Sequence, residues 1–97
     1  MRIVWSPLAI ERVAEMAEYV ARDNPTAAAR WVESVFAAVK RLSTFAESGR
    51  HVPETRRADI REVLLGSYRI IYRLDRTAIM VLTVRHGKQM LPADEVL

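Results

Sequence analysis

Asp59-Ile-Arg-Glu-Val-Leu-Leu-Gly-Ser-Tyr-Arg-Ile-Ile-Tyr-Arg-Leu-Asp-Arg-Thr-Ala-Ile-Met-Val-Leu-Thr-Val-Arg-His-Gly-Lys88 decides how this chain folds. Three runs rich in Val, Ile, Tyr and Thr are separated by two short turns, and such residues suit half-buried strands. Gly66-Ser67 fits a two-residue hairpin loop, and Asp75-Arg76-Thr77 makes the second turn. The stretch reads as an antiparallel meander. Arg61, Arg69, Arg73, Arg85, His86 and Lys88 are threaded through it. A core sheet does not need so many cations, so they are the candidate functional residues.

Outward from the meander, the N-terminal half is helical. Arg2-Ile-Val-Trp5 is a short β-prone run. Ser6-Pro7 then starts a helix, with Ser6 as N-cap and Pro7 at the first turn, where a missing N–H costs nothing. From Leu8 to about Arg22, the positions Ile10, Val13, Ala17 and Val20 recur at helical spacing. Asp23-Asn24-Pro25 breaks that helix and opens a second, from Pro25 to about Ala46. Trp31, Val35, Ala38, Leu42 and Phe45 line one face of it, with Val32, Phe36 and Val39 beside them. The two helices form an αα-hairpin. Gly49 is expected to cap the second helix, and the tail 90–97 carries weak structural signals.

The expected fold is α+β, ordered β-α-α-β-β-β. An antiparallel sheet carries the αα-hairpin on one face, as a single domain over 1–97. Side chains alternate along a strand. Tyr68, Ile70, Tyr72 and Leu74 are therefore expected to face the helices, and Arg69, Ile71 and Arg73 the open side.

Composition bounds the function. The chain has 97 residues, 51% hydrophobic and 28% charged, as in ordinary globular domains. It has no cysteine, so disulfides and Cys-based metal sites are excluded. His51 is a lone loop histidine, so no metal or other cofactor is expected. No run reaches the roughly 18 apolar residues of a membrane span, and no secretory leader is apparent, which suits a cytoplasmic protein. The net charge of +3 is unevenly placed. Residues 1–47 balance six cations with six anions, whereas 48–91 carry nine cations against four anions. An acidic protein or a nucleic acid is the natural complement.

Several segments together carry a resemblance. They are Trp5-Ser6 with Ala9, Asp23-Asn24-Pro25 followed by Ala27-Ala28, Gly49-Arg50, Ile60-Arg61-Glu62, Gly66 to Arg73, and Val84 to Lys88. The sequence resembles the RelE/ParE superfamily of type II toxins from bacterial toxin–antitoxin operons, over nearly its whole length. The resemblance implies the layout already read from the residues. It also implies a cognate antitoxin (ParD/RelB-like) in a hetero-oligomer, and a role of the plasmid-stabilisation kind. The ParE branch, which poisons DNA gyrase, fits better than the RelE branch, which cuts mRNA on the ribosome. The Asn24-Pro25 junction is ParE-like, and no aromatic residue follows Tyr72.

Metal-free RNA cleavage needs a base, a cation for the phosphorane charge, and an acid. The resemblance aligns Arg69 with a phosphate-stabilising arginine of the nucleases. His86 is the group that titrates near neutrality, and Arg61 and Arg85 add charge. That set is the alternative reading. In the first reading Arg61, Arg69, Arg73, Arg85 and Lys88 bind antitoxin or target, and Arg69 and Arg73 pair with Glu62 or with antitoxin carboxylates. A third possibility is a relative that binds an antitoxin but is no longer toxic.

Overall fold

The computed structural model describes residues 1–87 and 89–96. Its elements follow in chain order as β1 (Arg2–Trp5), α1 (Pro7–Ala21), α2 (Pro25–Arg41), β2 (Arg50–His51), β3 (Ile60–Leu65), β4 (Tyr68–Leu74) and β5 (Ala78–His86), then a 3₁₀ turn at Ala93–Val96.

Local chemistry sets the helix starts as expected. Ser6 Oγ accepts the Ala9 amide at 3.0 Å and Asn24 Oδ1 accepts the Ala27 amide at 3.0 Å, each one residue before a proline. The second helix stops at Arg41, earlier than its apolar pattern suggests. Residues 42–48 turn instead, and Phe45 is left 61% exposed. Gly49 is not a helix cap. It lies where a Cβ would collide with Tyr72 Oη and would sit 2.8 Å from Glu62 O, so bare backbone is needed for close approach. Gly66 is the residue in the left-handed region, at φ 56°, and opens the β3–β4 hairpin loop.

The sheet is ordered β1-β5-β4-β3-β2. The meander β3-β4-β5 is antiparallel, but β1 joins β5 in parallel, with Ile3 opposite Ile79. The sheet is therefore mixed rather than wholly antiparallel. The αα-hairpin explains this, because it carries the chain back across the sheet before β2 begins. β2 is a fifth strand that the loop-like sequence around Gly49 does not announce.

The helix-facing side is the one alternation predicts. Ile70, Val81 and Val84 pack with Ala9, Val13, Val35, Ala38 and Val39. Tyr72 sits further along with Leu42 and Ile79. Its hydroxyl donates to Ala46 O at 2.9 Å and accepts from the Gly49 amide at 3.0 Å. A bulge in β5 leaves Leu82 without a partner, since Ile71 faces Thr83 and Tyr72 faces Val81. The extra residue keeps Val81 and Val84 on the helix side and turns Leu82 and Thr83 to the other.

That second side is not open. Leu82, Ile71, Ile60 and Val52 form a separate apolar cluster closed by Leu91 and Val96 from the C-terminal segment. Residues 89–96 thus act as a strap across the sheet. The expectation of an exposed arginine face is overturned. Alternation tells which side a residue takes, not what covers that side.

Candidate functional site

Each threaded cation is placed by its strand register. Arg69 and Arg85 are direct partners across β4 and β5, on the strap side. Arg69 is only 6% exposed. Its Nε donates to Glu62 Oε1 at 2.7 Å, and its two terminal nitrogens each reach a Glu54 oxygen at 2.7 Å. Glu62 is 1% exposed and also accepts from Arg50 Nε at 2.7 Å. Glu54 additionally accepts the Leu91 amide at 3.2 Å, which fixes the start of the strap. The geometry is the strong bidentate kind. Hydrogen bonding from Arg69 holds the Glu54 carboxyl down at about 2, and bonding to Glu54, then Glu62, pushes Arg69 further up. The expected Arg69–Glu62 pair is therefore present, inside the chain.

Arg85 is spent in a similar way. It donates to Glu95 Oε2 at 3.1 Å and to Met90 O at 3.3 Å. Glu95, itself 9% exposed, also accepts from Thr83 Oγ1 at 2.7 Å and lies 3.5 Å from an Arg12 terminal nitrogen. Strap, sheet and α1 meet at this one carboxylate. Arg73 pairs with Asp75 at 3.0 Å at the β4 end. Arg61 donates to Gly49 O at 2.9 Å and Glu47 O at 3.3 Å, bracing the loop before β2. Lys88 lies outside the described residues.

His86 belongs to the opposite face. It is the register partner of Tyr68, and the two rings meet edge-on at 5.5 Å. Tyr68 in turn packs on Trp31 of α2 at 4.9 Å, so this pair lies on the helix side. Met16, Tyr19, Tyr68, His86 and Gln89 line a cleft there of about 280 Å³. Arg61 shares the helix side with His86 but faces Tyr72, four β4 residues from Tyr68, roughly 13 Å along a strand. The four residues of the alternative nuclease set are thus split between two faces and two ends of the sheet. They converge on no common point where a phosphate could sit. Among the described residues, no three His, Cys, Asp or Glu side chains gather as a metal site, and no helix is long and apolar enough to cross a membrane.

The sequence pointed to the cations and to Glu62 as a partner of Arg69, but not to Glu54 or Glu95. Glu54 sits in what reads as a loop and Glu95 in what reads as a weak tail. The available signal was the tail's Leu91 to Val96 pattern, two adjacent acids among apolar residues that follow a basic half. At the edge strand β1, the Trp5 and Phe36 rings meet at 4.9 Å.

Residues 3–91 match the family of the ParE toxin of type II toxin-antitoxin system, parDE. Y4kP of Sinorhizobium fredii (strain NBRC 101917 / NGR234), described as a candidate toxin, is 38% identical over 93 residues, covering 94% of this chain and 93% of its own. A chain of the chromosomal ParDE TA system from P. aeruginosa has a similar fold, with TM-score 0.75 at 21% identity, covering 91% of this chain and 97% of that one.

Proposed function

This chain belongs to the ParE toxin family of type II toxin–antitoxin systems, and from that premise we propose that it arrests growth by binding DNA gyrase and is silenced by a cognate ParD-like antitoxin. The observation that carries the choice against RNA cleavage is the split of the candidate groups. His86 lies on the helix side of the sheet, whereas Arg69 and Arg85 lie on the strap side, neutralised by Glu54, Glu62 and Glu95. A cation that already satisfies two carboxylates has little field left for a phosphorane. Contact with a protein target needs no such convergence.

The antitoxin's arm is better matched to the helix layer and the sheet edges than to the meander's second side. That side is occupied by the strap, while Phe36 and Tyr19 on the helices stand 49% and 70% exposed. Both partners would meet in the cytoplasm.

The test is induced expression with gyrase and translation read in parallel. Purified protein is expected to trap gyrase on DNA and to leave ribosome-bound mRNA uncut. Ribosome-dependent cleavage without a gyrase effect, lost in His86→Ala, would establish the ribonuclease reading instead. Induction without growth arrest would point to a chain that only binds its antitoxin.

A further inference from the structure

The start of β1, the end of α2 and the turn between β4 and β5 meet at one corner of the molecule. The Met1 nitrogen donates to Ser43 O at 2.9 Å. Ser43 in turn closes the end of α2, its hydroxyl and amide donating to Lys40 O at 2.8 and 3.1 Å. The Arg2 amide donates to Thr77 O at 3.4 Å, which draws the turn carrying Arg76 against the same chain start. Arg2, Lys40, Arg41 and Arg76 therefore share this corner.

Their surroundings differ from those of the arginines under the strap. Residues 1–10 and 34–46 hold no Asp or Glu. Asp75 and Asp59 reach the corner, but each is already taken. Asp75 pairs with Arg73 at 3.0 Å. Asp59, whose carbonyl accepts the Leu74 amide at 2.8 Å, pairs with Arg57 at 2.7 Å. Arg2, Lys40, Arg41 and Arg76 are exposed and make no ion pair among the described residues. Like charges gathered without counter-charges repel one another, and a polyanion relieves that repulsion when it binds.

We propose that this corner is a binding site for the sugar–phosphate backbone of duplex DNA, which Arg2, Lys40, Arg41 and Arg76 grip without reading sequence. Contacts to phosphates position a protein and carry no base information. The arginine fork and the lysine ammonium both suit phosphate oxygens. The cations straddle the end of the sheet rather than line one cleft. Lys40 stands beside Ile3 and Trp5 on the helix side, and alternation turns Arg2 to the other side. That arrangement suits the two phosphate rows of a stiff duplex. An acidic protein segment matches it less well, because an extended chain points successive carboxylates in opposite directions, whereas duplex DNA offers a charge about every 1.7 Å of its axis. The site does not depend on the gyrase reading. On that reading, it would hold the chain against the DNA that gyrase carries.

The experiment measures fluorescence anisotropy of a labelled mixed-sequence duplex of about 20 base pairs, titrated with the purified full chain. A Kd of about 1–10 µM is expected in about 50 mM NaCl, weakening about 6- to 12-fold in about 100 mM, as three or four phosphate contacts require. Arg2→Glu with Arg76→Glu is expected to weaken binding about tenfold or more. Lys40→Glu with Arg41→Glu should do the same from α2, so the result does not hang on one element's folding. Arg22→Glu with Arg30→Glu makes the same change of net charge on two exposed cations at the far end of the helix pair, and should leave the Kd within about twofold. Absence of binding, or binding indifferent to salt, overturns the proposal. Equal losses in the corner and control variants overturn it too, since net charge alone would then be responsible. Tighter binding of single-stranded RNA of the same length overturns the choice of duplex, and equal competition by poly-glutamate overturns it in favour of an acidic protein.

Discussion

Removing the Arg69 guanidinium would leave Glu62, 1% exposed, with only the half-exposed Arg50 beside it. Breaking a buried pair from one side strands the other charge. Arg69→Met is therefore expected to lower unfolding stability by about 3 kcal/mol or more, measured by urea denaturation. Adding Glu62→Leu should restore much of it, since an apolar pair of similar volume carries no such penalty. A stability loss under about 0.5 kcal/mol for Arg69→Met would return Arg69 to the role of a surface contact. The same network has a pH signature. Arg69 depresses the Glu54 carboxyl from 4.5 to about 2. A depressed carboxylate stabilises the fold fully above its unfolded value and loses that contribution as pH falls from about 5 toward 2. The full shift would correspond to about 3 kcal/mol. Solvent screening at this partly exposed group reduces it to about 1–2 kcal/mol. Glu54→Gln should flatten the stability profile over that window, and an unchanged slope would show that Glu54 does not hold the strap.

At the scale of elements, the junction between the helix layer and β2 rests on one close approach. Tyr72 Oη bridges Ala46 O and the Gly49 amide, and no side chain fits at Gly49. Gly49→Ala must push the Tyr72 ring or the β3 backbone aside, which should cost about 1–3 kcal/mol by overpacking. Gly66→Ala is a useful contrast. Its Cβ would meet open space, so its cost comes from the left-handed backbone alone, about 1–2 kcal/mol. Thermal melts of the two variants beside Tyr72→Phe separate the causes. Tyr72→Phe should partly relieve Gly49→Ala and leave Gly66→Ala unaffected. The elements themselves were well announced by sequence. Ser6-Pro7 and Asn24-Pro25 placed both helix starts, and Gly66-Ser67 placed the hairpin. β2 was not announced, because two residues held by pairing Arg50 with Glu62 and His51 with Arg61 carry no pattern of their own.

At the scale of the whole molecule, few contacts leave any layer independent. Arg12 of α1 reaches Glu95 of the strap, which also holds Thr83 and Arg85 of β5. Arg57, ahead of β3, donates to Val96 O at 3.2 Å. Residues 1–97 are thus expected to unfold as one cooperative unit, with far-UV dichroism and tryptophan fluorescence changing together. An early fluorescence change with the sheet intact would mean that the helix layer melts separately.

The sequence by itself determined the helix starts, the meander, the side each β4 residue takes, and the family. These follow from caps, turn residues and periodicity, which act over a few residues. Only the tertiary structure decided what the cations do. Arg69 and Arg85 had to be assigned to carboxylates 15 and 10 residues away in the chain, and a strap with little local signal had to be laid over them. Burial of a charge depends on which distant groups arrive to neutralise it, and no local pattern encodes that arrival. The parallel seating of β1 beside β5 was settled in the same way.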